Sequence, residues 1–142
     1  MTSAIPSATP HMSRVHYLWL AIAASVVQMA MMVPGYSEDG TFHAVEWLSV
    51  LAVSLAVGVL VFAFVVPLGG TVTGLVLGGF AVVSVLVFWA GITLPLAAAA
   101  AVVGWRARQG GEHRTRATVT LALSGLSVVA LVAIIIGDAV AN

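Results

Sequence analysis

Cysteine is absent from the 142 residues, which removes disulfides, thiolate nucleophiles and Cys-ligated metal or iron–sulfur centres in one step. Lysine is absent too, so the basic residues are five arginines: Arg14, Arg106, Arg108, Arg114 and Arg116. Charge of both signs is scarce, at 7% of residues, and five acidic groups bring the formal net charge to zero. No general electrostatic pull toward nucleic acid is expected. Also missing are H-E-x-x-H, G-x-S-x-G and a phosphate-cradling glycine loop. What remains is apolar: 61% of residues are hydrophobic and the mean hydropathy is +1.14, the range of a polytopic membrane protein. A chain this short is one domain with no room for a separate catalytic unit.

Residues 1–14, beginning MTSAIPSATPHM, lack periodicity and large apolar side chains and are expected to be a disordered tail. Met12 is a second possible start. Arg14 followed by the apolar run Tyr17 to Val33 imitates a signal peptide, but the run is about 17 residues and no small-x-small site closes it, so an uncleaved first span is expected. It ends at Pro34-Gly35, before the acidic loop SEDG. A second span covers 44–66 and stops at Pro67, Gly69 and Gly70.

The stretch 71–105 is harder to divide, because one helix there would measure about 52 Å at roughly 1.5 Å per residue, against a hydrocarbon core of about 30 Å. Gly91 and Pro95 weaken a helix inside WAGITLP, and Thr93 is placed to cap a new one. A turn within 90–95 therefore separates spans at 71–88 and 93–105. The last span is 117–136. The fold class expected is an all-α bundle of five transmembrane helices, with four as the alternative.

The positive-inside rule weighs these alternatives. Five spans with the N-terminus inside put all five arginines in the cytoplasm and the C-terminus outside. Four spans in the same orientation would export four of them. The aromatic belt agrees with five: Tyr17, Trp19 and Trp105 fall toward the inner interface, and Tyr36, Trp47 and Trp89 toward the outer one. Span four is short and is expected to rely on Arg106 and Arg108 reaching the inner headgroups.

Gly70, Gly74 and Gly78 form two overlapping GxxxG steps, with Gly79 beside them. Such a face favours close helix packing in lipid, either within the chain or in a homo-oligomer. Arg106, Arg108, Arg114 and Arg116 in RARQGGEHRTR are topological determinants that can also contact lipid headgroups. No aromatic interleaves them to stack bases, so nucleic acid is not an expected partner. Met29, Met31 and Met32, near Gln28, His43 and Glu46, have chemistry suited to Cu(I), but Met29 and Met32 also share a face for ordinary packing. His16 and His43 lie a bilayer apart, too far for a shared haem. Glu38, Asp39, His43, Glu46 and Asp138 gather outside without EF-hand spacing and read as solvated charges. No metal site, cofactor or catalytic residue is expected.

No ionisable side chain falls in the middle third of any predicted span, where pumps and coupled transporters carry proton or ion relays. The notable polar groups there are Ser25, Gln28, Ser54, Ser84, Ser124 and Ser127, able to hydrogen-bond within or between helices. Over residues 71–138, the segments TGLVLGG, LPLAAAAAVVGW, RARQGGEHRTR and LALSGLSVVALVAIIIG resemble a short integral-membrane domain of unknown function from bacteria, of actinobacterial type. That resemblance implies a membrane hairpin and transfers no functional residues. The expected role is non-enzymatic: an accessory or complex-subunit protein of the bacterial plasma membrane, in contact with lipids. The alternative is an oligomeric transporter or pore for a small solute or ion.

Overall fold

Five apolar runs separated by Gly, Pro and polar turns fold into five helices. The structure, a computed structural model, describes residues 13–38, 41–111 and 113–141. Helix α1 is Arg14–Met31, α2 is Ala44–Leu60, α3 is Thr71–Ser84, α4 is Thr93–Gln109 and α5 is Arg114–Ala141. A minimal β-pair, Ser37–Glu38 against Thr41–Phe42, lies between α1 and α2. The expected tail falls mostly outside the described residues, and its last residue is corrected: Arg14 is the first residue of α1. Asp39, Gly40, Glu112 and Asn142 also lie outside them.

Helical geometry changes where proline and glycine require it. Beyond α2 the chain widens into a π turn at Val61–Val65 and tightens into a 3-10 turn at Val66–Leu68. Pro67 has no N–H to continue the α ladder, and the Val66 N–H reaches back to the Val61 carbonyl instead. Gly69 and Gly70 follow with φ of 61° and 87°, a region open to glycine without steric cost. After α3 a 3-10 segment, Val85–Ala90, leads to Gly91 in the left-handed region, and α4 starts two residues later. The unbroken helix over 71–105 that four spans would need is not formed. Pro95 falls in the first turn of α4, where its missing N–H would have had no intrahelical partner.

Helices α3, α4 and α5 pack pairwise, and α1 packs on both α2 and α4. The packed stripes repeat every three or four residues and consist mostly of small side chains. On α5 the buried stripe is Ala117, Thr120, Ser124, Ser127 and Leu131. On α3 it is Thr71, Gly74, Leu77, Gly78, Ala81 and Ser84. This is knobs-into-holes spacing filled by residues that let backbones approach. The large apolar side chains point the other way: Val45, Leu48, Val53, Leu60 and Phe64 of the second helical rod, Phe80 and Val83 of α3, and Leu126 and Val129 of α5 are all exposed. By length and composition Ala44–Leu68, Thr71–Ala90 and Arg114–Asp138 can each cross a membrane. Helix α1 carries Arg14, His16 and Gln28, and α4 is 17 residues long with Arg106 and Arg108 in its last turn.

Candidate functional site

Helix direction sorts the charges to opposite ends of the bundle. Arg14 opens α1, Arg106 and Arg108 close α4, and Arg114 and Arg116 open α5. The Arg106 Nη1 donates to the Tyr17 hydroxyl at 2.9 Å, which brings the end of α4 to the start of α1. All five arginines therefore share one end. The guanidinium carbon is 5.9 Å from the Tyr17 ring centroid, but the hydrogen bond holds it at the phenol edge, so this contact is the hydrogen bond rather than a stacked cation–π pair. Tyr17 is buried against its neighbours at this end of the bundle. Arg106 is anchored to it rather than simply extended toward headgroups. Trp19 and Trp105, beside the arginines in sequence, are exposed.

The opposite end holds Glu38 between α1 and α2, Glu46 in the first turn of α2, and Asp138 near the end of α5. Among the described residues no group of three or more His, Asp or Glu is arranged to hold a metal ion. Met29 and Met32 are buried packing residues.

Near that end, polar side chains from α1 and α2 converge on the turn between α3 and α4. The Gln28 Oε1 accepts the Leu94 N–H at 2.6 Å, and its Nε2 donates to the Phe88 carbonyl at 3.5 Å. One amide thus caps the start of α4 and meets the segment that leaves α3. The Ser54 hydroxyl donates to the Gly91 carbonyl, and the Ser25 hydroxyl donates to the Ser54 carbonyl at 3.2 Å. Thr93 was expected to cap α4; instead Ile92 holds the cap position, and the Thr93 hydroxyl donates to the Ser84 carbonyl at 3.1 Å. The reason is the α3–α4 hairpin, which presents that carbonyl to the first turn of α4. Every buried side-chain nitrogen and oxygen among the described residues has a partner.

The three glycines expected to share a packing face separate into two kinds. A Cβ at Gly74 would lie 3.0 Å from Thr120 Cγ2 and 3.2 Å from Val103 Cγ1, and one at Gly78 would lie 3.1 Å from Leu123 Cβ. Gly74 is a close-approach position against α4 and α5, and Gly78 against α5. Gly70 is not: it precedes α3 with a positive φ and has open space around it. Gly79 faces open space as well. A matching approach, Gly104 against Thr120 and the Ala117 carbonyl, was not anticipated. The role of Gln28 was missed too, although it stands out in sequence as an amide inside an apolar run.

Comparison with known proteins finds no match. No protein family fits the chain, no curated protein matches it, and no solved structure resembles it. The site is therefore read from its own chemistry.

Proposed function

We propose that this chain is a five-span integral membrane protein of the bacterial plasma membrane, with its N-terminus cytoplasmic and its C-terminus external, and that it acts without enzymatic chemistry as an accessory subunit of a larger membrane assembly. The observation that carries the membrane reading is the pairing of an outward surface of large apolar side chains with helix contacts rich in Ala, Gly, Ser and Thr. In lipid, exposed large apolar side chains cost nothing and small faces supply packing. The collection of all five arginines at one end supports the orientation, because short cytoplasmic loops retain Arg. What supports a bacterial plasma membrane is the resemblance over 71–138. The accessory role is favoured by the sequence, which carries no catalytic motif and no ionisable side chain in the middle third of any expected span to serve as a relay. An oligomeric pore built on the α3 glycines is less favoured, since Gly74 and Gly78 already face α5 of the same chain.

Single-cysteine labelling tests the topology on a chain with no cysteine of its own. A Cys at Gly110 should react with an impermeant reagent only after lysis, and a Cys at Gly40 or Asn142 should react in intact cells. The reverse pattern at any of the three sinks the five-span reading. Purification in mild detergent tests the accessory role, for which a stoichiometric partner is the expected result and a solitary chain the contrary one.

A further inference from the structure

We propose that the arginine end is a docking site for the phosphate-bearing headgroup of an anionic membrane lipid, assembled from α1, α4 and α5. It rests on the membrane reading above and goes beyond it by assigning a ligand class. Arg106 and Arg108 lie on the last turn of α4, where the helix dipole favours a cation. Arg14, Arg114 and Arg116 lie on first turns, where the dipole disfavours one. Three of the five arginines are thus placed against the preference of their own helices, and a shared anion relieves that placement. The described carboxylates of Glu46 and Asp138 belong to the far end, and Glu112 lies outside the described residues.

The site has fixed points. The Tyr17 hydroxyl accepts from Arg106 at 2.9 Å, and tyrosine and arginine come from helices far apart in sequence. Helices α4 and α5 meet closely just below the arginines, with a Cβ at Gly104 only 3.1 Å from Thr120 Cγ2. Lateral to this charge the surface is apolar and aromatic, with Trp19, Trp105, Val15 and Leu18 exposed. An acyl chain fits that flank while its phosphate meets the arginines, and guanidinium groups bind phosphate through paired N–H donors. This juxtaposition favours a lipid over a free anion.

The test uses the full chain in neutral detergent, with the thermal unfolding midpoint followed as phosphatidylglycerol, phosphatidylcholine or inorganic phosphate is added. Phosphatidylglycerol should raise the midpoint at concentrations where phosphatidylcholine and inorganic phosphate do not. The variant R114Q/R116Q should keep its helical content and bind phosphatidylglycerol roughly 30-fold more weakly. Should that variant fail to fold, R108Q, which alters one exposed residue, should weaken binding roughly fivefold. Equal responses to both lipids, or undiminished affinity in the variants that fold, overturn the site. An equal response to inorganic phosphate overturns the lipid assignment and leaves an anion site. Alkaline carbonate extraction reads membrane integration separately: a chain that resists extraction yet shows no lipid preference refutes the docking site alone.

Discussion

Gln28 is fully buried and bonded on both sides of its amide, to the Leu94 N–H and the Phe88 carbonyl. A buried backbone donor left without a partner costs about 1–3 kcal/mol. Gln28→Leu fits the volume but supplies neither group, so it should lower unfolding stability in detergent by about that amount, as read from denaturant or thermal melts. Ser49→Ala is the matched control: its hydroxyl is exposed and donates to Val45 of its own helix, and its removal should be nearly silent. A Gln28→Leu variant as stable as the parent would mean that the turn satisfies itself. The sequence marks Gln28 as an unusual polar residue in an apolar run, but its partner lies 66 positions away. No local periodicity encodes that distance.

At the scale of the helix, a stripe is legible where its period is local and obscure where its partner decides the outcome. The repeat Gly70, Gly74, Gly78 reads as one face, yet the structure uses Thr71 rather than Gly70 in the stripe, because Gly69 and Gly70 take positive φ to turn the chain. Helix limits follow the apolar runs only coarsely: α2 ends at Leu60 and α5 runs on to Ala141, five or six residues from the expected ends at 66 and 136. They extend past them at α4, which reaches Gln109, and at α5, which starts at Arg114, because backbone hydrogen bonding continues after hydrophobicity ends. The contact at Gly74 makes a clear prediction. Gly74→Ile must displace Thr120 and Val103 and should destabilise the chain by about 1–3 kcal/mol. Val76→Ile, about 200° around the helix and half-exposed, should leave the melting temperature unchanged. Gly79→Ala meets nothing and should be neutral or stabilising by up to about 1 kcal/mol through helix propensity. Equal melting temperatures for all three variants would refute the close approach of α3 to α5.

Across the whole molecule the helices form an unequal assembly, with α3, α4 and α5 mutually packed and α2 joined mainly to α1. Pulling on the N-terminus in a bilayer should therefore extract α1 and α2 before α3–α5, at lower force. A single event releasing all five helices together would contradict that hierarchy. The count of helices and the segregation of charge were readable in the sequence, since hydropathy and Arg placement are properties of segments. The hierarchy was not, because it depends on which faces meet. One consequence concerns the order in which the chain is made. The turn between α3 and α4 leaves backbone groups outside the helical ladders, and the side chains that satisfy them, Gln28 and Ser54, belong to helices synthesised earlier. Translation from the N-terminus therefore makes the partners of this turn before the turn itself, and the α3–α4 hairpin closes onto side chains that precede it in the chain.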